Sequence, residues 1–422
     1  MSIRKKKWKS GGKIRAAWVL DYVDEHGKRR QKTFHTKMEA KSAEAKFRYE
    51  LSVRRHVDAI DQLTVNGAIE LWAKSREGGD LEEATKLSYQ SIVKYNILPF
   101  IGTRLLNDFY IQDVLRFEDE LKNTPYPPDF PSPRKRGRLR SRDAVRRATM
   151  VLGAIFATAQ LHGKATHNPV YAIPRRKRPY RKTDREKVAN KPQVGVDIPT
   201  LEEIGLILDH VCGRYWRLIV VVIFSGLRAS ELRGLRWIDI DFKRGVIQVR
   251  QRANFRGRLG PPKSKAGFRT IPVPPYVLQM LSEWKDECSG GSLGLVFPTK
   301  RGTVPGYQVI IRCSLRPTMK RAGLMVDKGR VDKNGNKVLS PKYTLHALRH
   351  FYASWCINRV EDGGLGLMVK QVQERMGHAN IQITMDTYGH LFPIRDEGEA
   401  LARAERLLRR NKDATRTWRR GG

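Results

Sequence analysis

Apolar residues alternate with polar ones near the start of the chain, which is the period of a strand with one buried face. The alternating positions are Ile14, Ala16, Trp18, Leu20 and Tyr22. Gly11-Gly12 and His26-Gly27 are turn signals on either side. The segments Ile3 to Lys9 and Lys28 to His35 supply flanking strands, so the pattern predicts a three-stranded sheet. A helix follows from about Lys37, with an apolar face formed by Ala40, Ala43, Phe47 and Leu51.

From residue 62 to residue 175 the apolar spacing becomes helical. Thr64 is a candidate N-cap for a first helix that contains Ala68, Leu71 and Trp72. Further helices are predicted from about Glu82 to Leu98, ending near Pro99 and Gly102, and from Gln112 to Leu121. A fourth helix has an apolar stripe made of Val145, Ala148, Leu152, Ile155 and Ala159. The segment from Asn123 to Arg140 contains five prolines and a basic run at Arg134-Lys135-Arg136, so it is predicted as a loop.

A larger segment with mixed patterns follows from residue 197 to residue 395. Thr200 with Glu203 three positions on forms a capping-box pattern at the start of a helix. Short strands are predicted at Val246–Gln251 and Arg269–Val273. The predicted helices are Tyr307–Ala322, Thr344–Arg359, Val369–Met376 and, in the tail, a short amphipathic helix at Glu399–Arg410.

These patterns predict a multidomain protein that is mainly α with small β elements. The predicted parts are a three-stranded sheet plus helix over residues 1–58, a helical domain over 62–175, a basic linker over 176–196, a mixed α+β domain over 197–395 and a tail over 396–422. Leu401, Leu407 and Leu408 form a stripe in the tail. We interpret this stripe as a contact with a neighbouring protomer, and truncation at Pro393 without loss of assembly would contradict it.

The charge balance points to a polyanionic partner. Lys plus Arg number 81 against 43 Asp plus Glu, a formal net charge of +38 over 422 residues. Such a surface favours nucleic acid, because neutralising phosphates releases condensed counterions. Ribosomal and other passive binders are equally basic, so charge alone does not indicate catalysis. The prolines and basic residues between Pro174 and Pro192 are compatible with a solvated tether and with DNA-backbone contact.

Cysteine usage and hydropathy favour a soluble, cytoplasmic protein, and a nucleic-acid partner would make it nucleoid-associated. The four cysteines contain no CxxC pair, which makes a zinc ribbon improbable and favours free thiols in a reducing compartment. The basic segment Met1–Lys9 lacks the apolar core of a secretory signal. The longest apolar run, Leu218–Phe224, is too short to cross a bilayer, so no membrane partner is expected.

The mixed domain contains, in order, the residue types that phosphoryl transfer requires: cations for the non-bridging oxygens, an acid for the leaving oxygen and a nucleophile. Arg228 follows a glycine turn after the buried apolar run, and lysines occupy the Gly-rich connection between the two strands. His346 and Arg349 share one helix face. Downstream come His378 and then Tyr388, which precedes a glycine and is therefore expected to be accessible.

The flanking sequences SGLRASEL, PKSKAGFRTIPV, HALRH, ERMGH and TMDTYGHL together resemble the active site of the tyrosine recombinases, the phage integrase family. The resemblance is strong over residues 197–395. Residues 62–175 are similar to that family's helical, SAM-like core-binding domain. The N-terminal segment resembles the arm-type DNA-binding domain of integrases from phages and conjugative elements.

The resemblance implies a catalytic role for six residues: Arg228, Lys265, His346, Arg349, His378 and Tyr388. Tyr388 would attack the scissile phosphate and form a 3′-phosphotyrosine link. Lys265 would protonate the departing 5′ oxygen, with Lys263 as the alternative. His346 would assist proton removal from Tyr388 or bond the phosphate, and Glu231 would orient a catalytic side chain.

Other interpretations attach to several of these residues. His350 and His390 are better assigned to packing or structural hydrogen bonds. His346 and His350 are spaced as a metal pair, but the glutamate of HExxH is missing, so no metal is expected. No cofactor is expected either, because the covalent link conserves the phosphodiester energy and no phosphate-binding GxxxxGK[ST] loop occurs.

The resemblance also implies partners. These are double-stranded DNA at core and arm attachment sites, three further protomers in a homotetramer on two DNA sites, and accessory DNA-bending or directionality proteins. Two rival functions share the basic surface: a non-catalytic DNA-binding relative, and a type IB topoisomerase that relaxes supercoils without choosing a site. The intact set of catalytic residue types argues against the first, and the basic N-terminal sheet argues against the second.

Overall fold

The computed structural model of the chain describes residues 2–10, 13–23, 29–45, 63–79, 81–172, 191–288, 290–331, 335–393, 398 and 401–409. The chain divides into two compact units, Met1–Thr183 and Asp184–Gly422. Most of the predicted basic linker, and the end of the tail with Trp418, lie outside the described residues. Among the described helices, none is long and apolar enough to cross a membrane. The fold is multidomain and mainly α with small sheets, as predicted.

The first unit begins with an antiparallel sheet of three strands in the order β1-β2-β3: β1 Ser2–Ser10, β2 Lys13–Val23 and β3 Arg29–Phe34. The predicted burial is only partly right. Leu20 is buried, but so are Ala17 and Val19 from the opposite phase of β2, and Ala16 is exposed. The sheet thus buries residues on both faces. Helix α1 spans residues 37–45 and buries Ala40, while Phe47 and Leu51 lie outside the described residues.

The rest of the first unit is helical, as predicted. Its helices are α2 Val65–Ser75, α3 Glu83–Ile92, α4 Leu98–Ile101, α5 Ile111–Asn123, α6 Arg142–Leu161 and α7 Pro169–Ala172. Thr64 caps α2 by accepting a hydrogen bond from the Gly67 amide, which confirms the predicted cap. The α6 stripe packs into a core with the aromatic rings of Trp72, Phe109 and Phe117.

The second predicted helix continues past Leu98 and ends at Gly102, the later of the two residues near which its end is predicted. A π-helical turn, Val93–Ile97, joins α3 to α4, and Pro99 lies in the first turn of α4. A proline is tolerated there because the first turn of a helix leaves backbone N–H groups without intrahelical acceptors. The proline therefore marks a change of helix rather than a stop.

The predicted loop between α5 and α6 is ordered by one buried arginine. Arg140 is 4% exposed and donates to Asn96 Oδ1 at 2.8 Å, to the Thr124 carbonyl at 2.6 Å and to the Tyr95 carbonyl at 2.8 Å. Its guanidinium also lies 4.5 Å from the centroid of the Tyr126 ring. These contacts satisfy a buried cation, which would otherwise be costly to desolvate.

The second unit is a helical domain with small sheets. Its helices are α8 Leu201–Asp209, α9 Trp216–Ser225, α10 Ala229–Arg233, α11 Pro275–Glu287, α12 Tyr307–Ile310, α13 Arg316–Arg321, α14 Leu345–Ile357, α15 Val369–Met376 and α16 Ile381–Tyr388, with α17 at residues 401–409. A π-helical segment, Ile311–Leu315, joins α12 to α13. The Thr200–Glu203 capping box of α8 is confirmed, with bonds of 3.2 and 3.0 Å.

The strands of this unit form three small antiparallel sheets: β4 Ile240–Asp241 with β5 Val246–Val249 and β8 Arg269–Pro272, β6 Arg252–Ala253 with β7 Leu259–Gly260, and β9 Met325–Val331 with β10 Lys337–Pro341. The predicted strands at 246 and 269 are present. The hairpin β9–β10 was not predicted, because charged residues and a glycine between its apolar residues interrupt any alternating pattern.

Helix α9 lies at the centre of the domain. All six residues from Leu218 to Ile223 are fully buried, and α9 packs against α14 and α11. A helix that is apolar on all sides must be enclosed by other elements. The ends of α9 and α14 consequently have fixed positions, and the candidate site is built at those ends.

Candidate active site

Gly226 fixes the turn that positions the first predicted arginine. It ends α9 in the left-handed region, with φ +59°, and the ring of Tyr352 from α14 occupies the space that a Cβ would need. Glycine adopts this conformation without the steric penalty that a side chain brings. Arg228 follows in extended backbone as the N-cap of α10, so its direction is set by the turn, as predicted.

Arg228 bridges two parts of the domain. Its Nη1 donates to Glu231 Oε1 at 2.8 Å, and its Nη2 donates to the Gly377 carbonyl at 2.8 Å. The backbone amide of Arg228 donates to Glu231 Oε2 at 2.9 Å. The side chain nevertheless remains 38% exposed, so part of the guanidinium is available to an anion.

Glu231 is held by a second, buried arginine that the sequence did not predict. Arg269 from β8 is 5% exposed, and its Nη2 and Nη1 donate to the Glu231 carboxylate at 2.8 and 3.1 Å. Burial raises the pKa of Glu231, but the bonds and charge of Arg269, with Arg349 and Arg228, lower it to about 2. Glu231 is therefore a carboxylate, and its contribution to stability is present above about pH 4.5 and is lost as the pH falls towards 2.

Arg349 is the most enclosed cation of the site, with 3% exposure. It donates from Nη1 to the Gly226 carbonyl and from Nη2 to the Met376 carbonyl. Burial and the nearby Arg228 lower the pKa of Arg349, while Glu231 opposes them. Arg228 and Arg349 thus converge on the turn that follows α15.

That turn places His378 beside the predicted nucleophile. Gly377 ends α15 with φ +63°, and His378 Nδ1 lies 2.9 Å from Thr384 Oγ1 on α16. The His378 ring is nearly parallel to that of Tyr388, at 8° and a centroid distance of 6.3 Å. Burial, with Arg349, Arg228 and Arg269, lowers the pKa of His378 to about 4.

Tyr388 is buried, which corrects the expectation of an accessible tyrosine. It is the last residue of α16 and is only 2% exposed. The expectation rested on Gly389, but packing of α16 against α15 and the histidines encloses the ring. Burial raises the pKa of Tyr388 to about 12, against the opposing effect of Arg349 and Arg228.

The hydroxyl of Tyr388 contacts His350, the histidine assigned to packing or structural hydrogen bonds. His350 Nδ1 lies 2.7 Å from Tyr388 Oη. His346, one turn earlier on α14, is exposed and meets the His350 ring edge-on at 4.4 Å between centroids. The signal that could have singled out His350 is its place directly after Arg349, on the helix that faces α16.

The two candidate lysines are exposed. Lys265 begins a single 3-10 turn, Lys265–Gly267, between β7 and β8. Arg269 Nη1 donates to the Gly267 carbonyl at 3.1 Å, and its Nε donates to the Arg375 carbonyl at 2.8 Å. The lysine-bearing turn is therefore tied by backbone to the segment before His378, and the choice between Lys263 and Lys265 stays open.

A cavity of about 870 Å³ adjoins the histidines of α14. It is lined by His346, His350, Asp197, Val326 and Lys342, among others. Within the part of the chain that the structure describes, no group of three or more His, Cys, Asp or Glu residues could hold a metal ion. The four cysteines are unpaired thiols.

The helical fold and this cluster, in which Arg228 at the start of α10 joins an arginine, two histidines and a tyrosine from the segment α14–α16, define a class of domain. Residues 200–394 match the phage integrase family, and this part of the chain is a tyrosine recombinase domain of that family. A tyrosine recombinase XerC-like protein of Caldanaerobacter subterraneus subsp. tengcongensis is 27% identical over 236 residues, or 50% of this chain. That alignment spans about half of the relative, 54% of its length.

Two solved structures are similar in fold. The integrase of transposon Tn1549, in complex with a circular intermediate DNA, aligns with a TM-score of 0.57 and 22% identity over 82% of this chain and 99% of that chain. A lambda integrase tetramer bound to a Holliday junction aligns with a TM-score of 0.51 and 15% identity over 86% of this chain and 93% of that chain.

Proposed function

We propose that this protein is a site-specific DNA recombinase that cleaves and rejoins strands through a 3′-phosphotyrosine intermediate, and that it integrates and excises a mobile element. The observation that carries the proposal is the position of Tyr388 between His350 and His378, beside the two converging arginines. A purely DNA-binding relative has no need for a tyrosine in this setting.

The side chains divide the chemistry between them. Arg228 and Arg349 would hold the non-bridging oxygens of the scissile phosphate, since planar guanidinium forks match phosphate geometry. As Tyr388 Oη forms its bond to phosphorus, the bond to the 5′ oxygen breaks, and Lys265 would give that oxygen a proton. His378 would complete the cradle, and His346 would bond the phosphate or assist proton removal from Tyr388.

Glu231 and Arg269 would act without touching the substrate. Glu231 offsets the charge of three arginines, so that Arg228 and Arg349 can lie close together before the phosphate arrives. Both described hydrogen bonds of the Arg349 side chain go to backbone carbonyls, so its guanidinium is oriented before the phosphate binds. Fixed donors stabilise developing charge without reorganisation at the moment of reaction.

The partners belong to the same proposal. The basic N-terminal sheet would bind arm-type DNA sites, and residues 62–175 with residues 197–395 would bind the core site, joined by the basic linker. Exchange of four strands requires four protomers on two sites, and similarity to the fold of the lambda integrase tetramer supports this assembly. Accessory bending or directionality proteins would assist.

The test is covalent trapping on a nicked duplex that carries the element's own junction. The native chain should give a denaturation-resistant protein–DNA adduct, and Tyr388→Phe should abolish it while leaving DNA affinity within about twofold. Absence of an adduct despite tight, sequence-selective binding would favour the passive binder. An adduct on any duplex, without sequence preference, would favour the topoisomerase.

A further inference from the structure

The Tyr388 hydroxyl has a specific neighbour that the proposed mechanism does not use. His350 Nδ1 is 2.7 Å from Tyr388 Oη, and the two rings meet at 64° with centroids 5.5 Å apart. A proton acceptor must lie within hydrogen-bond reach, about 2.6–3.2 Å, of the heavy atom that carries the proton. His346, by contrast, reaches the His350 ring rather than the hydroxyl in the described contacts.

We propose that His350 is a catalytic residue that accepts the Tyr388 hydroxyl proton during strand cleavage. This inference rests on the proposed function and deepens it. As the bond from Oη to phosphorus forms, the Oη–H proton passes to His350 Nδ1, and the bond to the 5′ oxygen breaks as that oxygen takes a proton from Lys265. His350 becomes an imidazolium and returns the proton to Tyr388 on rejoining.

The groups around His350 keep it neutral before the substrate arrives. His346 and Arg349 face it from α14, Tyr388 from α16, His378 from the turn after α15, and Asp197 from the segment before α8. Burial, His346 and Arg349 lower the pKa of His350 to about 4, and Asp197 opposes them. At pH 7 the ring is therefore uncharged, and with its proton on Nε2 its Nδ1 lone pair can accept the Tyr388 O–H.

Binding of the scissile phosphate makes His350 a better proton acceptor. A negative group against Arg349 offsets the repulsion that this arginine exerts on an imidazolium, so the pKa of His350 rises in the complex. The phosphate equally offsets the stabilisation that Arg349 and Arg228 give to a free phenolate, so the proton leaves Tyr388 as the bond from Oη to phosphorus forms rather than before it. Proton transfer from Tyr388 to His350 is consequently coupled to attack on the bound phosphate.

The cavity beside α14 gives water access to the His350 ring when that ring is positively charged. His350, His346 and Asp197 line this space of about 870 Å³. Water there can hydrate the imidazolium, and the Asp197 carboxylate stabilises it. A residue that served only to pack Tyr388 would not require polar groups and solvent on its other side.

The experiment measures single-turnover cleavage on the nicked duplex by the full chain. We expect His350→Ala to slow cleavage by about 10² to 10⁴, the usual range for a general base, with DNA affinity unchanged. Replacing Tyr388 by a trifluorotyrosine, whose hydroxyl is more acidic, should restore most of that loss, because a more acidic nucleophile depends less on a base. Trifluorotyrosine should restore little of any loss caused by His346→Ala, and full restoration there would overturn the inference by assigning the proton to His346. His210→Ala, at the exposed end of α8, should cleave at the native rate.

His350→Gln tests the role without emptying the site, since its amide can bond the hydroxyl but does not take the proton. Cleavage by His350→Gln at the native rate would overturn the inference, as would a His350→Ala loss that trifluorotyrosine leaves unchanged. Native chain that forms no adduct would overturn the proposed function instead. A native adduct combined with full-speed His350 variants would overturn only the role of His350.

Discussion

Gly226 is a backbone position on which both arginines depend. Its carbonyl accepts from Arg349, its left-handed turn directs Arg228, and the ring of Tyr352 fills the space beside its Cα. We expect Gly226→Ala to lower the free energy of unfolding by about 2 to 4 kcal/mol, from the left-handed backbone together with overpacking. The cleavage rate should fall by more than the loss of folded protein explains, because both guanidiniums lose their alignment.

Gly323→Ala is the matched control for Gly226→Ala. Gly323 also has a positive φ, of +70°, but nothing lies within 4 Å of where its Cβ would be. Gly323→Ala should lower the free energy of unfolding only by the strain of a left-handed alanine, about 1 kcal/mol, and should leave the cleavage rate unchanged. Chemical denaturation and single-turnover cleavage distinguish the two variants. Equal effects of both would contradict the role assigned to the Tyr352 contact.

At the scale of single residues, the sequence predicted which side chains cluster better than it predicted their burial and hydrogen-bond partners. Arg228, Arg349, His378 and Tyr388 meet in one cluster because each follows a recognisable turn or helix face. The burial of Tyr388 and the bond from His350 depend on how α14 and α16 pack, and local spacing contains no such information. Arg269 was missed because an arginine in a strand pattern normally indicates an exposed edge.

Among the elements, β8 has a role beyond its short sheet. Through Arg269 it holds Glu231 on α10, the Gly267 carbonyl of the lysine-bearing turn and the Arg375 carbonyl at the end of α15. Three segments that carry candidate catalytic residues are therefore joined by one buried side chain. Loss of the Arg269 guanidinium should therefore disturb the relative positions of these three segments more than it disturbs the fold.

We expect Arg269→Lys to slow cleavage by about 10-fold to 100-fold, because one ammonium cannot replace a planar guanidinium that bonds acceptors on three residues. DNA affinity should change little, since Arg269 is buried. Arg217→Lys is the control: Arg217 also bonds a carboxylate, Glu287 at 2.8 Å, but outside the site. Cleavage rates and salt-dependent binding of both variants test this, and a native rate for Arg269→Lys would contradict the positioning role.

The element boundaries show where sequence patterns stop being informative. Both ends of the helix Val369–Met376 are predicted correctly, and Gly377 follows directly after its last residue. The sequence leaves open whether the helix stops at Pro99 or passes through it to Gly102, and the hairpin β9–β10 is not predicted. In the first case a π turn accommodates the proline, and in the second the strands pair through backbone bonds that need no apolar alternation.

At the scale of the whole molecule, the net charge of +38 predicts a polyanionic partner but not which surface meets it. The division of the chain at Thr183 falls within the predicted basic linker. The assignment of arm, core-binding and catalytic roles to parts of the chain remains a prediction. It requires the sheet and the rest of the molecule to bind separable stretches of DNA.

That requirement can be tested with charge substitutions in the sheet of the full chain. Lys6 on β1 and Arg29 and Lys32 on β3 are exposed. Each phosphate contact contributes about 0.9 to the slope of log affinity against log salt. Replacing all three by glutamine should therefore reduce the slope by about 2 to 3 on a fragment that contains arm and core sites.

The same variant on a duplex with the core site alone provides the control, because the change in net charge is identical there. If the sheet binds arm DNA, the core-only slope should match that of the native chain, and cleavage of the nicked core duplex should proceed at the native rate. Equal reductions on both duplexes would mean that the substitutions act through the overall field rather than through a separate site. The sheet would then be one part of a general basic surface, and the arm-binding assignment would be wrong.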